Sequence, residues 1–496
     1  MSRRPNILIL FTDMQRADTV GALGNPVIRT PSLDRLATEG TAFTSCYTPS
    51  PVCVSARCCM HYGQYTQRTG LYSNGPMMED NGASIPGLLG AEGYRTGAIG
   101  KCHFTPEREA LRGFGSRLTQ EENVSDPDSD DYCRWLKENG HDYMEPQGTR
   151  GEMYYIPQVS HLPAEAHPSQ WVADRAIEFL GDGGDGEPWM LLSSFIHPHP
   201  PLSPPKPWHK LYRAPLMPLP NVPPDAEALY TWVNRHQNRY KYRDQGVDAN
   251  LVRLIKAYYY ACISFVDYQV GRILSALEER GQLDDTLILY SSDHGEFLGD
   301  YNCYGKRSMH DPPARVPMLA RLPGRFPAGG RCATPVSLVD VLPTVAAAAG
   351  VDTGDRVLDG VDLSESAAGE RPDRTVYSQF DRGARAIYMA ADRRWKYFYS
   401  ASDETEFLFD RVQDPLETRN RAGTPFCGDA RDEMKARLLG FLQEMGEKAA
   451  FEERAGELDW RRYPEAERHH MPANPDAGLL VQDAAGSVVP IPGYTL

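Results

Sequence analysis

Four apolar runs, each delivering polar residues at its C-terminal edge, constrain this chain more than any other feature. Ile7–Phe11 leads through Thr12 to Asp13, and Tyr94–Ile99 runs into Gly100-Lys101-Cys102-His103. Trp189–Ile196 runs into His197-Pro198-His199, and Thr286–Ser292 directly into Asp293-His294. Short continuous apolar runs of this kind predict strands buried on both faces. Thr30–Gly40, Ser84–Glu92, Trp171–Leu180 and Leu251–Gly281 read as helices, the last with a long apolar stripe. Strands alternating with helices predict an α/β fold: a large mixed, mostly parallel sheet sandwiched by helices. Open sheets of this class place their ligand sites at the carboxyl ends of the strands, where these polar residues fall.

The 496 residues are enough for a large domain and a small one. The character changes beyond about Arg374: Ala386–Ala390 and Trp395–Ser400 read as a hairpin, Phe407–Asp410 as a further strand and Arg431–Ala449 as a helix. The expected organisation is a catalytic α/β domain over 1–375 and a small α+β domain with an antiparallel sheet over 376–460. An extended arm over 461–496 follows, ending in the apolar, proline-stiffened Val488–Leu496. Glu121–Asp131 and Pro200–Pro224 read as surface insertions at a pocket mouth, and Trp208, Tyr212, Tyr230 and Trp232 as aromatic pocket walls.

With 52 basic against 67 acidic residues the net charge is −15, which argues against nucleic acid as a partner. An anionic small substrate would then need a local basic pocket. No stretch approaches a membrane span. The apolar run at the start is too short for a signal peptide, and with ten scattered cysteines and no paired CxxC the expectation is a cytoplasmic protein with reduced thiols.

Cys53-Val-Ser-Ala-Arg57 places a thiol and a guanidinium one helical turn apart at a helix start, where the helix N-terminus favours negative charge. This stretch resembles the sulfatase signature Cys-x-Pro-x-Arg, in which the cysteine is oxidised to formylglycine (3-oxoalanine). The resemblance extends along the chain. It includes Phe11-Thr-Asp-Met-Gln-Arg-Ala-Asp18, Gly100-Lys-Cys-His103, Phe195-Ile-His-Pro-His-Pro-Pro201, Ser292-Asp-His-Gly-Glu-Phe-Leu-Gly-Asp300, Gly305-Lys306 and Phe407–Glu417. The sequence is thereby identified as similar to sulfatases of the alkaline phosphatase superfamily, close to arylsulfatases and phosphonate monoester hydrolases.

Carried over by position, the resemblance implies that Asp13, Asp293, His294 and the modified Cys53 hold one divalent metal. Arg57 would orient the formylglycine, Lys101 and Lys306 would grip the sulfate oxygens, and His103 would face the formylglycine hydroxyl. His199 would stand near the leaving oxygen, and Asn74 would supply an active-site amide. The implied activity is hydrolysis of an aryl or alkyl sulfate monoester. One hydroxyl of the aldehyde hydrate attacks sulfur, and the other loses its proton as sulfate departs. Maturation by a formylglycine-generating enzyme and assembly into a dimer or tetramer through the C-terminal arm are implied as well.

Three positions depart from the family pattern: Ser55 replaces the signature proline, Met14 a second aspartate, and His294 a common asparagine. Losing one oxygen ligand and gaining a nitrogen favours manganese or zinc, with calcium still possible. Phosphonate monoester or phosphodiester hydrolysis is the alternative within the superfamily, and a catalytically inactive binding homologue is the alternative outside enzymes.

Overall fold

Along β1 (Asn6–Asp13) every side chain is buried, because the strand has helices on both faces. Ile7, Ile9 and Phe11 point into one core with residues of α2 (Cys53–Tyr62), α3 (Ile85–Ala91) and α6 (Val341–Ala349). Leu8 and Leu10 point into a second core with α1 (Pro31–Glu39), α4 (Pro168–Gly181) and α5 (Ala249–Glu279). The alternation of a strand's side chains thus builds a helix–sheet–helix sandwich from one apolar run. The computed structural model describes residues 4–469 apart from 123, 125, 151–153, 183–185, 242–247 and 455.

The central sheet has eight strands. They are β1, β2 (Thr41–Phe43), β3 (Arg95–Gly100), β4 (Ser116–Thr119), β5 (Trp189–Pro198), β6 (Thr286–Ser292), β7 (Met318–Arg321) and β8 (Gly330–Cys332), in the order β8-β2-β7-β6-β1-β5-β3-β4. All neighbouring pairs are parallel except those made by β7, which runs against both β2 and β6. The four strands singled out in the sequence are therefore adjacent, as β6-β1-β5-β3. Their registers bring the ends level: Thr12 pairs with Ser292, Phe11 with Ser194, and Gly100 with Ser194.

Helix α1 is closed by Gly40, as its sequence predicts. Helix α5 is buried on more sides than one apolar stripe requires, although Leu254 of that stripe is exposed. A second sheet, β9 (Val376–Phe380), β10 (Ile387–Ala391), β11 (Trp395–Ser400) and β12 (Thr405–Asp410), is antiparallel throughout. One face, with Phe398, Phe407 and Phe409, packs on Tyr47, Val52, Phe297 and Met309 of the large sandwich. The other packs on α7 (Gly428–Glu444) and Trp460. Strand β9 carried no legible signal, and α7 begins and ends earlier than its sequence suggests. Its last turn gives way to Gly446 at a φ of 72°.

All ten cysteines are free and buried. No helix among the described residues is long and apolar enough to cross a membrane. Of the expected C-terminal arm, 461–469 holds a single helical turn at Glu465–Arg468, and 470–496 lies outside the described residues.

Candidate active site

Strand ends and one helix start converge on the thiol of Cys53. Cys53 is the first residue of α2, after Val52 in extended conformation. Asn74 accepts the N–H of Val54 on its side-chain oxygen (3.1 Å), satisfying a donor that the helix start leaves free. The Asn74 carbonyl is thus spent on holding the helix. Ser55, at the position of the signature proline, donates to the Leu71 carbonyl (2.5 Å) inside the core.

Around the Cys53 sulfur, Lys306 Nζ lies at 2.7 Å, His294 Nε2 at 3.2 Å and Asp13 Oδ1 at 3.9 Å. Burial and the Asp13 carboxylate push the thiol up, but Lys306, Lys101 and His294 outweigh them and bring it to about 7. Arg57 knits the shell together. Its Nε donates to Asp293 (2.9 Å) and its Nη2 to Asp13 (3.3 Å), while Nη1 donates to the Lys101 carbonyl (2.7 Å) and Ser194 Oγ (3.0 Å). Burial and the neighbouring Asp13 carboxylate raise Asp293 to about 6. Asp13 stays well below the usual carboxylate range, because the cations Lys101, Arg57 and Lys306 overcome its burial.

The ligand atoms of Asp13, Cys53, Asp293 and His294 lie within 4.8 Å of one another, all buried. His294 Nδ1 sits 3.0 Å from the Gly295 carbonyl, which fixes a proton on Nδ1 and turns Nε2 into the cluster, where it carries a proton beside the thiolate and would give that proton up to bind a cation. Two carboxylates, one imidazole and the side chain of residue 53 at this spacing fit a single divalent cation. Met14 is buried at a φ of 68° and contributes only its backbone, the N–H donating to Asp293 (3.1 Å). Gln15 is engaged elsewhere, accepting from Thr12 Oγ1 (2.9 Å) and Tyr290 (2.5 Å), so it does not replace the missing carboxylate.

Lys101 is fully buried, with Asp13 at 2.6 Å on one side and Glu122 at 2.7 Å on the other. His103 follows at a φ of 55°; its N–H donates to Glu121 (3.1 Å), and its Nδ1 has no hydrogen-bond partner among the described residues. Burial and Lys101 hold this imidazole near 4. His199 has Nδ1 2.7 Å from the Pro200 carbonyl, leaving Nε2 toward Tyr154 (3.3 Å) and Glu122 (3.6 Å). Burial holds His199 well below its ordinary value despite the Glu122 and Asp13 carboxylates.

Sequence reasoning missed Glu121 and Glu122. The segment read as an insertion at a pocket mouth begins inside the site: Glu121 receives the N–H groups of Cys102 and His103, and Glu122 reaches Lys101. Two adjacent acids after an edge strand gave no motif to find. The four aromatics read as pocket walls are structural. Trp208 packs on Phe265 and Tyr268, and Tyr212 hydrogen-bonds Ser264. Tyr230 donates to the Tyr301 carbonyl, and Trp232 stacks on His236. Tyr154, by contrast, stands at the site, beside His199.

Residues 5–351 match the family model described as Sulfatase, and residues 299–444 the one described as N-sulphoglucosamine sulphohydrolase, C-terminal. The chain is 31% identical over 398 residues to an arylsulfatase of Clostridium perfringens, covering 73% of this chain and 78% of that protein. It is 31% identical over 443 residues to a choline-sulfatase of Rhizobium meliloti, covering 85% and 83%. The crystal structure of a phosphonate monoester hydrolase of Agrobacterium radiobacter superposes with a TM-score of 0.78 at 25% identity, over 93% of this chain and all of that one. The protein belongs to the sulfatase family of the alkaline phosphatase superfamily and is a sulfatase enzyme.

Proposed function

We propose that the protein hydrolyses an aryl or alkyl sulfate monoester, with Cys53 converted to formylglycine and one divalent cation held by Asp13, Asp293, His294 and residue 53. The observation that carries this is the Cys53 sulfur, buried at the first turn of α2 with Lys306 and His294 in contact and both aspartates in its shell. When bound, the cation supplies Lewis-acid polarisation and favours an ionised hydroxyl on residue 53.

The remaining work belongs to the chain. Arg57 fixes both aspartates and the Lys101 backbone, so metal ligands and anion anchor keep one geometry. Lys101 and Lys306 donate to the sulfuryl oxygens and offset charge developing on them. His199, its Nδ1–H pinned to Pro200, stands beside the leaving oxygen with Nε2 toward Tyr154. The ester S–O bond breaks as the hydroxyl oxygen of residue 53 bonds to sulfur, and the alcohol leaves with that electron pair and takes its proton from water. His103 accepts the proton of the second hydroxyl on residue 53, a role suited to an imidazole that is neutral at pH 7. Asn74 supports the site by holding the first turn of α2.

Two carboxylates and a nitrogen, with Met14 in place of a third acid, favour manganese or zinc over calcium. Elemental analysis of protein purified without chelator checks this; stoichiometric calcium without a transition metal contradicts it. A formylglycine-generating enzyme as maturation partner and a homo-oligomeric assembly complete the proposal. A phosphonate monoester or phosphodiester substrate is the second reading, supported by the likeness to the Agrobacterium radiobacter enzyme. Peptide mass spectrometry of the Cys53 peptide, with parallel rates on an aryl sulfate and a phosphonate ester, tests both. An unmodified Cys53 in protein that turns over neither ester refutes the reaction.

A further inference from the structure

One charged side chain at the site is neither in the sulfur's shell nor part of the machinery described above. Glu122 follows the edge strand β4 and folds over the end of β3, its side chain 10% exposed. One oxygen accepts from Lys101 Nζ (2.7 Å) and the other from Arg150 Nη1 (2.9 Å), with His199 Nε2 at 3.6 Å. Its ionised form is secure: burial works against it, but the Lys101 and Arg150 cations in contact with it hold the carboxyl well below its ordinary range. Its field also reaches Lys306, where it joins Cys53 and Asp13 in favouring the ammonium against burial. Both lysines that would grip a sulfuryl group therefore sit in the field of a third carboxylate.

Such a charge does not help bind an anion. Burying a carboxylate beside an anion anchor is costly unless it is paired, and here pairing is achieved at the expense of the anchor's own positive potential. The consequence depends on ligand charge. Coulomb energy is linear in the charge of the ligand, so a fixed negative charge opposes a dianion twice as strongly, in the logarithm of affinity, as a monoanion in the same place. A sulfate monoester is a monoanion, whereas the inorganic sulfate it releases and a phosphate monoester are dianions.

We propose that Glu122 is a specificity-determining residue, a fixed negative charge that fits the Lys101–Lys306 anion site to monoanionic esters and weakens its hold on dianions, including the released sulfate. The assignment rests on the sulfate-ester reading of the site and adds to it the charge class that the site accepts.

The test is calorimetric titration of the full chain with sodium sulfate and with sodium methanesulfonate, a tetrahedral monoanion, at one fixed low ionic strength. In Glu122→Gln, methanesulfonate should tighten about threefold and sulfate about tenfold, the larger shift being the square of the smaller. Glu122→Asp, which keeps the charge, should retain the wild-type ratio of the two affinities. A merely structural role would move both ligands by one factor or abolish both. Equal shifts, no shift, or weaker binding of sulfate in Glu122→Gln overturns the assignment. Should Glu122→Gln not fold, Glu122→Met removes the same charge with an unbranched side chain of similar length: sulfate must then tighten by the square of the methanesulfonate factor, and equal factors overturn the proposal. Turnover of an aryl sulfate by the same wild-type preparation is scored separately. Its absence counts against the reaction, while the affinity ratio alone judges Glu122.

Discussion

Replacing Gly100 by alanine should damage both the fold and the site, because this residue ends β3 where the sheet hands Lys101 to the active centre. Gly100 has a φ of 96°, and a Cβ built on it would lie 1.9 Å from the Ser194 carbonyl oxygen of β5. A side chain in that backbone region costs roughly 1–2 kcal/mol. Relieving the contact requires β3 and β5 to part at the point where the Lys101 N–H donates to that same carbonyl at 3.1 Å. Leaving this buried pair unmade costs about 1–3 kcal/mol, for about 2–5 kcal/mol together. The displacement cannot stay local. The Lys101 carbonyl and Ser194 Oγ are the two acceptors of Arg57 Nη1, and Arg57 in turn holds Asp13 and Asp293. A shift approaching 1 Å in such an arrangement lowers turnover by about 100-fold. Urea unfolding followed by circular dichroism and kcat/KM on an aryl sulfate measure the two effects. A variant within 1 kcal/mol of wild-type stability, as an order-of-magnitude bound on these costs, or within threefold of its activity, would refute the reasoning.

Cys53→Ala should lose nearly all turnover while keeping the fold, since the side chain is small and its neighbours are held by Arg57; aryl sulfate hydrolysis within about tenfold of wild type would place the nucleophile elsewhere. In unmodified, metal-free protein the Cys53 thiol should ionise at about pH 7, the thiolate prevailing above that value because Lys306, Lys101 and His294 stabilise the anion. The thiolate absorbance missing from Cys53→Ala reports it, and a midpoint near that of a free thiol contradicts the charge arrangement. Lys396→Met should destabilise the packing of the second sheet on the sandwich by about 3–5 kcal/mol, because the fully buried ammonium pairs with Asp311 (2.7 Å) and Glu417, and its loss leaves Glu417 buried without that cation beside an acid held by Arg315 (2.9 Å). A loss below about 1 kcal/mol in denaturant unfolding would show that those acids find another partner.

Much of the fold was legible in the sequence because its strands are buried on both faces and therefore apolar without interruption. Ile7–Phe11 and Thr286–Ser292 appear as strands almost residue for residue. Asp13, Lys101, His199, Asp293 and His294 could be singled out because a polar residue at the end of an apolar run stands out against it. The Cys53–Arg57 spacing marked the helix start that meets them. Strands β4 and β9 were less legible, since an edge strand and a strand with mixed polarity carry no continuous apolar run. What tertiary structure alone decided is the partnership of the charges. Nothing local to Glu122 indicates that it shares the ammonium of a residue on another strand, or that Trp208 and Tyr212 turn away from the site while Tyr154 faces it. Strand order decides this: β6, β1, β5 and β3 are neighbours, so residues nearly three hundred positions apart share one shell. Backbone pairing that sets such an order is long-range, and a linear pattern of side chains carries the period of each strand but not the identity of its neighbour.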